Sequence, residues 1–397
     1  MSGQPHHLGR VGDLCSEVAN WNPATLGSKG TFTYIDIGAV DQESKAIGPI
    51  SPIPCEQAPS RARQLVKSGD ILVSTVRPNL NAVALVPDQL DGATASTGFC
   101  VLRPKIEALD SRFLYHWVRS ETFIEEMIRL ATGASYPAVS DRIVKGSRIP
   151  FLSLSEQRRI AAILDKAEEL RTKRRAALAK LDRLAQSIFI EMFGDPLSNP
   201  KGFPQMKLAQ VSQFENGDRS SNYPSGDEVI SEGVLFLSTK NLVEKKLDLA
   251  KANYISENKF QSLTRGKARN GDLLITLRGT LGSCCIFNAP DGRAFINAQM
   301  MIIRPTTKVT SSFLHALLTG STFKRHLVSI GNGAAVQQLT ATQLAELMIM
   351  VPPPDLQNEF TQKIGSVERY RGFFEESLVG TEALLTSLQH RAFRGEL

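Results

Sequence analysis

The sequence has few of the residues from which covalent cross-links and metal sites are built. Its 397 residues include five cysteines and six histidines. The number of cysteines is odd, and no two have the Cys-x-x-Cys spacing of a zinc or redox motif. The sequence therefore predicts neither a disulfide framework nor a structural zinc site, and it fits a reducing, cytoplasmic location. The cysteines are Cys15, Cys55, Cys100, Cys284 and Cys285.

Motifs of known catalytic centres are also missing. No His-Glu-x-x-His segment and no Walker phosphate-binding loop occurs. An adenine methyltransferase would carry Asn or Asp before two prolines and an aromatic residue, whereas residues 352–355 have the wrong order. Pro87-Asp88 and Pro290-Asp291 lack the later carboxylate and lysine of a nuclease core. We therefore expect a non-enzymatic chain with no catalytic residue, no metal ion and no cofactor of its own.

Long apolar runs are absent too. No stretch approaches the ~18 uninterrupted apolar residues of a membrane span, and the N-terminal segment lacks the apolar core of a signal peptide. With 42% hydrophobic and 22% charged residues, the composition is that of an ordinary globular protein. The net charge of +6 and the pI of about 9.0 mildly favour a polyanionic partner.

The sequence does contain a long heptad pattern. Residues 155–193 include no proline or glycine, and apolar residues recur there at alternating steps of four and three. The pattern returns about 200 residues later, with Arg171 recurring as Arg371. A helix about 58 Å long, at ~1.5 Å per residue, needs a partner for its apolar stripe. We predict that the two helices pair antiparallel. The predicted seam is Ile160, Leu164, Ala167, Arg171, Leu178, Leu181, Ile188, Phe360, Ile364, Val367, Arg371, Phe374, Leu378, Leu385 and Leu388.

The regions before the helices repeat as well. Residues 69–72 (Gly-Asp-Ile-Leu) match 271–274 (Gly-Asp-Leu-Leu), 75–77 match 276–278, and 101–104 match 302–305. The chain is therefore predicted to be two copies of one unit, each a globular part followed by a long helix. We predict globular domains at 1–152 and 195–352, a central helix at 153–194 and a C-terminal helix at 353–397.

Each globular part is predicted to be of mixed α/β (α+β) class. Residues 32–37 and 71–76 have the β-branched and aromatic content of strands. One helix is predicted over about 111–129 and its copy over about 311–330. Ser155 and Asp355 are the predicted N-caps of the long helices.

These residues resemble the specificity subunit of Type I restriction-modification systems. The resemblance rests on the helix opening at 154–160 (Leu-Ser-Glu-Gln-Arg-Arg-Ile), the helix end at 187–196 and its echo at 391–397. The Gly-Asp-(Ile/Leu)-Leu strand starts belong to the same pattern, and the order of parts matches over essentially the whole chain. The second helix departs from the pattern, because it lacks the Glu-Gln-Arg-Arg run and contains three glycines that each weaken a helix by ~1 kcal/mol. These are Gly365, Gly372 and Gly380.

The resemblance implies two target recognition domains, each reading one half of a split, asymmetric sequence in double-stranded DNA. It implies that the helices fix the gap between the half-sites and dock two methyltransferase subunits, which would bind S-adenosylmethionine. Restriction subunits would join through the complex. The alternative is a DNA-binding or scaffolding protein that does not assemble with a methyltransferase.

Side chains suited to base or phosphate contact lie on predicted loops beside the strands and after the shorter helices. Any one of them can instead be a solvated loop residue. The candidates are Lys29, Arg77, Asn79, Asn81, Ser135, Tyr136, Lys240, Asn241, Arg278, Thr280, Asn332 and Gln337.

Other basic residues are less suited to base reading. Arg103 and Arg304 occupy matched places, so we expect a structural role, since the two copies would read different sequences. The basic run at 171–175 lies in the middle of a helix. It either contacts phosphates or forms an ion-paired, solvated face, and Arg171 at the seam can set the helix register.

Overall fold

The chain folds as two units, each combining a globular part with segments of two long helices. The computed structural model describes residues 7–25, 30–218, 222–243, 245–250, 252–331 and 338–397. The first unit is Met1–Ala176 with Phe374–Leu397, and the second is Ala177–Phe373. The predicted mixed α/β class and the two long helices are confirmed. The four-part division at 152, 194 and 352 stays a prediction.

The first unit contains a four-stranded antiparallel sheet in the order β2-β10-β7-β8 and a smaller sheet in the order β4-β9-β6, in which β4 and β9 are parallel. β1 pairs with β11 and β3 with β5. The strands are β1 (Leu8–Arg10), β2 (Cys15–Ser16), β3 (Thr31–Phe32), β4 (Tyr34–Ile35), β5 (Ile53–Pro54), β6 (Ala62–Leu65), β7 (Ile71–Ser74), β8 (Val83–Leu85), β9 (Thr94–Ser96), β10 (Phe99–Pro104) and β11 (Arg148–Pro150). The helices are α1 (Ser111–Trp117), α2 (Glu121–Leu130), α3 (Asp141–Gly146) and α4 (Leu154–Phe193).

The second unit contains an antiparallel sheet in the order β13-β22-β19-β20 and a mixed sheet in the order β17-β14-β21-β18. β12 pairs with β23 and β15 with β16. The strands are β12 (Gln205–Lys207), β13 (Ser212–Asn216), β14 (Val234–Leu237), β15 (Leu242–Val243), β16 (Lys246–Leu247), β17 (Asn253–Ile255), β18 (Lys267–Arg269), β19 (Leu273–Thr276), β20 (Cys284–Ile286), β21 (Arg293–Ile296), β22 (Met300–Pro305) and β23 (Met348–Met350). The helices are α5 (Glu257–Ser262), α6 (Ser311–Thr319), α7 (Ser321–Ile330), α8 (Ala341–Ala345) and α9 (Pro354–Arg394).

The two units share the topology of one four-stranded sheet and one two-stranded pair. The sheet β2-β10-β7-β8 corresponds to β13-β22-β19-β20, and the pair β1-β11 corresponds to β12-β23. The repeated Gly-Asp pair opens the matched strands β7 and β19. Its glycines, Gly69 and Gly271, have φ values of +83° and +91°, a left-handed conformation that glycine adopts without a steric cost. The predicted duplication is therefore confirmed.

The aspartate of each Gly-Asp pair anchors an arginine on the neighbouring strand. Asp70 accepts two hydrogen bonds from Arg103, at 2.9 and 2.7 Å, and Asp272 accepts two from Arg304, both at 2.8 Å. Both carboxylates are buried. A two-pronged bond between guanidinium and carboxylate is strong and orientationally specific. The structural role predicted for Arg103 and Arg304 is confirmed.

A buried glutamine ties the start of each long helix to its globular part. Gln157 is 0% exposed and Gln357 is 1% exposed, and each side-chain amide makes three hydrogen bonds to backbone. Buried amides need such partners, because an unsatisfied polar group costs about 1–3 kcal/mol. Gln157 bonds the N–H of Asp110 (2.9 Å) and the carbonyls of Ala108 (3.0 Å) and Leu152 (2.9 Å), and Gln357 bonds the N–H of Thr310 (2.8 Å) and the carbonyls of Lys308 (3.0 Å) and Pro352 (2.8 Å).

In the first unit the start of α4 lies against the end of α9. Arg159 donates to the carbonyl of Leu397 at 2.7 Å, and Arg175 bonds Glu382 at 2.8 Å. Residue numbers rise along one helix as they fall along the other, so this pairing is antiparallel, as predicted. Phe393 then packs on Trp117 of the globular part, with ring centroids 5.0 Å apart.

In the second unit the end of α4 lies against the start of α9. Arg371 bonds Asp182 at 2.6 Å, and the rings of Phe193 and Phe360 are 5.2 Å apart. The direction is again antiparallel. Phe193 also meets Phe313 of the globular part, with ring centroids 4.9 Å apart. Each unit therefore takes a helix end into its hydrophobic core.

None of the residues predicted for the seam is exposed. Burial of the stripe provides most of the stability of a long amphipathic helix. The buried ones are Ile160, Leu164, Ala167, Phe360, Val367 and Leu385. The partly buried ones are Arg171, Leu178, Leu181, Ile188, Ile364, Arg371, Phe374, Leu378 and Leu388.

Two predictions about the shorter helices were wrong. The helix expected over 111–129 is two helices, α1 and α2, because Ser120 interrupts it. The Ser120 hydroxyl donates to Trp117 O at 2.7 Å and accepts from Phe123 N at 3.4 Å, so it caps the second helix. The helix expected over 311–330 is likewise α6 and α7, separated at Gly320.

One strand prediction was also wrong. The strand expected over 32–37 is two short strands, β3 and β4.

The predicted caps of the long helices were also displaced. α4 begins at Leu154, and the hydroxyl of Ser153, not Ser155, accepts from the N–H of Glu156 at 3.3 Å. α9 begins at Pro354, a residue whose fixed φ suits the first helical position. Asp355 lies in its first turn, where a carboxylate interacts favourably with the helix dipole.

We predict that Asp70→Asn lowers the free energy of unfolding by about 3 kcal/mol, because it leaves the Arg103 charge without its partner beside the core. Asp272→Asn should cost a similar amount in the second unit. Chemical denaturation of the full chain measures both. Glu107→Gln, an exposed carboxylate on a turn, is the control and should change stability by less than ~0.5 kcal/mol. A change in Asp70→Asn no larger than the control would contradict the role of the pair.

We also predict a pH dependence from His315 in α6. Burial lowers the pKa of His315 to about 4, from an ordinary value of 6.5. The unfolded chain then binds the proton more tightly than the folded chain. The contribution of this residue is complete above about pH 6.5 and is lost as pH falls toward 4, by on the order of 3 kcal/mol.

The measurement is the difference in free energy of unfolding between neutral pH and pH near 4. His315→Asn should flatten this difference relative to the unsubstituted chain. His390→Asn, on the exposed face of α9, is the control and should leave the profile unchanged. Identical profiles for the unsubstituted chain and His315→Asn would show that His315 does not carry the effect.

Candidate nucleic-acid interface

The loop between β7 and β8 presents the clearest candidate surface of the first unit. Arg77 and Asn79 are exposed there. Arg77 has φ +50° and Asn81 has φ +45°, so two non-glycine residues in one loop adopt the left-handed conformation. Such strain persists where surrounding contacts impose it and clusters at functional sites. The loop therefore holds Arg77 outward in a defined backbone conformation.

A second loop, distant in sequence, packs beside the first. Val76 forms a β-bridge with Ala138, and the N–H of Arg77 donates to the carbonyl of Pro137 at 2.7 Å. The Arg77 guanidinium then lies over the ring of Tyr136, 4.7 Å from its centroid. Tyr136 is 69% exposed. The structure thus brings together two predicted residues that are far apart in the chain.

This arrangement suits nucleic-acid recognition. A guanidinium can bond two acceptors of a guanine edge or of a phosphate at once, and stacking on an aromatic ring reduces the conformational freedom that it loses on binding. An exposed tyrosine also offers a face or a hydroxyl to a partner. Ser135 is exposed next to Tyr136 and adds a small hydroxyl.

Asn81 has a different environment from Arg77. Its side-chain Nδ2 donates to the carbonyl of Val118 at 3.0 Å, and its own carbonyl accepts from Lys45 Nζ at 2.5 Å. The residue is partly buried. These bonds tie the loop to the end of α1, so Asn81 supports the conformation that presents Arg77.

The second unit builds an equivalent loop between β19 and β20. Arg278 and Thr280 are exposed there, and Arg278 forms a β-bridge with Gln338, so this loop also pairs with a segment far along the chain. Gly279 between them has φ +80°. Three other predicted contacts, Lys29, Asn332 and Gln337, lie outside the described residues.

The turn after β14 separates its two candidates. Lys240 is exposed, whereas Asn241 is 4% exposed. The Asn241 side chain accepts from Ser238 N at 2.9 Å and donates to the carbonyl of Asp248 at 3.1 Å. Asn241 therefore holds the turn on which Lys240 is presented.

The sequence did not reveal a further basic pair in the first unit. Arg10 on β1 lies directly opposite Arg148 on β11, and both are exposed. Like charges in this position repel each other, which a bound phosphate would relieve. In the second unit the matched position pairs Lys207 with Met348, so the basic pair belongs to the first copy alone. Only strand pairing brings these residues together, so no local signal could have found them.

The basic run in the middle of α4 is ion-paired. Arg171 bonds Glu168 at 2.6 Å, and Arg175 contacts Glu43 at 3.1 Å in addition to Glu382. This supports the ion-paired alternative over phosphate contact for these residues.

Metal-ligand clusters and membrane-spanning helices are absent from the part of the chain that the structure describes. No group of three or more His, Cys, Asp or Glu side chains there could hold a metal ion. Nor does any helix of that part have the length and apolar character to cross a membrane. All five cysteines are buried and free, and burial raises the pKa of Cys15 to about 12, far from a reactive thiolate.

Fold and surface together define a class of protein, a tandem repeat that displays two related but different polar loop surfaces. Comparison with known families agrees. The model of the Type I restriction modification DNA specificity domain matches residues 22–180 and 200–369, most of the chain, and the protein belongs to this family. The internal duplication corresponds to these two matches.

Curated relatives are distant in sequence but cover much of the chain. The specificity subunit of the Type I restriction enzyme MjaIX from Methanocaldococcus jannaschii is 21% identical over 314 residues, which are 75% of this chain and 70% of the relative. The specificity subunit of EcoBI from Escherichia coli is 22% identical over 326 residues, 75% of this chain and 68% of the relative.

Solved structures share the fold over nearly the full length. One, described in a study of complex assembly and conformational transition of the type I R-M system, is 26% identical, with a TM-score of 0.60 and 100% of each chain covered. The S subunit of a Type I restriction-modification system from M. genitalium is 15% identical, with a TM-score of 0.60 and coverage of 98% of this chain and 96% of that one. The latter identity supports the fold alone.

Proposed function

We propose that this chain is the DNA sequence-specificity subunit of a Type I restriction-modification complex. The observation that carries the proposal is the duplication of one fold with different loop surfaces, in a chain that belongs to the specificity-domain family. Each globular part would read one half of a bipartite, asymmetric site in double-stranded DNA. The long helices would set the number of base pairs between the halves.

In this proposal some exposed residues contact bases and others contact only phosphates. Arg77 with Tyr136 in the first unit, and Arg278 with Thr280 in the second, would contact base edges or nearby phosphates. The difference between the two loop pairs supports two different half-sites. Arg10 and Arg148 would contribute phosphate contacts, which position the protein without reading sequence.

The chain would act as a non-catalytic partner. Two methyltransferase subunits would dock on it and carry S-adenosylmethionine, and restriction subunits would join through that assembly. Support comes from family membership and from catalytic motifs that the sequence does not contain. The outward faces of α4 and α9, away from the seam, are the proposed dock.

The direct test is a methylation assay with sequencing of modified bases. The purified chain alone should not methylate DNA, whereas the chain with its methyltransferase partner should methylate adenines in one split, asymmetric motif. Methylation by the chain alone would refute the non-catalytic role. A single uninterrupted palindrome would refute the two-domain reading, and failure to co-purify with a methyltransferase would favour the scaffolding alternative.

Arg77→Ala should weaken binding of the cognate site by about 1–3 kcal/mol, roughly 5–150-fold, and relax specificity in one half-site. Arg77→Lys should bind the cognate site almost as weakly as Arg77→Ala, because lysine lacks the planar, two-pronged geometry of arginine. Binding is measured with the assembled complex on cognate DNA and on DNA mutated in one half-site.

The matched control for this substitution is Lys105→Ala. Lys105 is exposed on the turn after β10, and β10 runs antiparallel to β7, so Lys105 and Arg77 lie at opposite ends of these neighbouring strands. Both substitutions remove one positive charge from the same unit. Equal losses would show that Arg77 acts through net charge and not as a reader of bases.

A further inference from the structure

The second unit contains a cleft of about 640 Å³ between its helices and its globular part. This volume is within the ~300–1,000 Å³ range of clefts that bind drug-sized ligands. Its apolar lining includes Phe189, Ile190 and Ile364. Ile190 is 49% exposed. Other lining residues are polar or charged.

The polar lining includes five side chains whose counterparts in the first unit can be named from the repeat. They are Lys245, His315, Thr319, Glu368 and Arg371. In the repeat these positions correspond to Lys45, Tyr115, Arg119, Glu168 and Arg171. The glutamate, the lysine and the seam arginine are the same in both units. The differences are a tyrosine replaced by histidine and an arginine replaced by threonine.

In the first unit Tyr115 and Arg119 occupy the positions that match His315 and Thr319. The guanidinium of Arg119 lies 4.7 Å from the centroid of the Tyr115 ring and bonds Glu168, which also bonds Arg171 at 2.6 Å. The Arg119 side chain is only 5% exposed. The hydroxyl of Tyr115 donates to the carbonyl of Lys45 at 3.3 Å and closes the cluster. One glutamate thus holds two arginines there.

In the second unit Thr319 occupies the position that matches Arg119. The matching glutamate, Glu368, therefore lacks one of the two arginines. Glu368 contacts Arg371 at 3.2 Å, and its side chain is 51% exposed. The first unit therefore shows one arrangement in which a lysine, a glutamate and the seam arginine, together with Tyr115, surround a buried guanidinium.

We propose that the cleft receives an arginine side chain from a protein partner, at one site per chain. The guanidinium would take the place beside Glu368 that Arg119 takes beside Glu168. Apolar side chains next to that arginine would cover Phe189 and Ile190. Asp182, which bonds Arg371, adds a second carboxylate to the lining, which also includes the exposed Lys246.

His315 is compatible with a cation in this place. Burial lowers its pKa to about 4, so the imidazole is neutral at neutral pH and does not repel a guanidinium. The inference does not depend on DNA recognition, since the cleft is separate from the loops that carry Arg278 and Thr280.

The test uses the full-length chain and a defined probe, the capped tripeptide acetyl-Leu-Arg-Leu-amide. Its control replaces arginine with citrulline, which has the same shape without the charge. Titration by NMR or calorimetry should show saturable binding of the arginine peptide with one site per chain. Binding of the citrulline peptide should be at least tenfold weaker.

Four substitutions locate the site. Thr319→Arg rebuilds the first unit's arginine in the second unit and should abolish peptide binding, whereas Thr319→Val, of similar size, should preserve it. Glu368→Gln should weaken binding at least tenfold. Arg119→Thr should open a matched site in the first unit and raise the stoichiometry toward two.

Several results would overturn the proposal. These are no saturable binding of the arginine peptide, equal binding of the citrulline peptide, or unchanged binding to Thr319→Arg or Glu368→Gln. Cognate DNA binding by Thr319→Arg is measured in parallel and should be unchanged. Because the two readouts are separate, failure of peptide binding leaves the proposed specificity role intact.

Discussion

Neither long helix can satisfy its apolar face alone, and the architecture follows from that constraint. α4 and α9 are each about three times the typical helix length, and their stability depends on burying one stripe. Within each unit one helix provides its beginning and the other its end, in opposite directions. The helix ends also contribute to the globular cores. Phe393 packs in the core of the first globular part, and Phe193 packs in the core of the second. Folding of each globular part is thereby coupled to segments distant in sequence.

The duplication retains interior contacts and varies the surface. Asp70 with Arg103 and Asp272 with Arg304 form the same two-pronged pair, and Gln157 and Gln357 make the same three backbone bonds. These buried polar groups tolerate little change, because losing one partner leaves the other desolvated and unsatisfied. Exposed loops carry no such penalty. A duplicated protein can therefore diverge in what it reads without losing the fold.

The cluster around Glu168 in the first unit and the cluster around Glu368 in the second also differ only in side chains that the fold does not need. In the first unit Tyr115 and Arg119 complete a self-contained arrangement around Glu168, whereas histidine and threonine leave the second unit open. Divergence at these two positions does not disturb the seam, because Arg171 and Arg371 each retain a carboxylate partner. A duplication gives an internal reference for such comparisons. Here the first unit shows that an arginine side chain fits beside the glutamate, and we propose that a partner protein provides this arginine in the second unit.

Sequence alone determined the duplication, the antiparallel helix pair and the structural arginines, because heptad spacing and repeated motifs are properties of order along the chain. It placed helix ends less well, since Ser120 and Gly320 adopt an extended backbone between two helices, and a hydrophobic pattern does not register that change. Among the polar candidates it could not separate Asn81 and Asn241, which serve their own loops, from the exposed Arg77 and Lys240. That distinction depends on whether a carbonyl such as Val118 O or Asp248 O lies within hydrogen-bond reach. The tertiary structure also decided that Arg77 stacks on Tyr136, that Arg10 faces Arg148 and that a cleft opens at Thr319. Each is a distance between residues far apart in sequence, which only the folded chain defines.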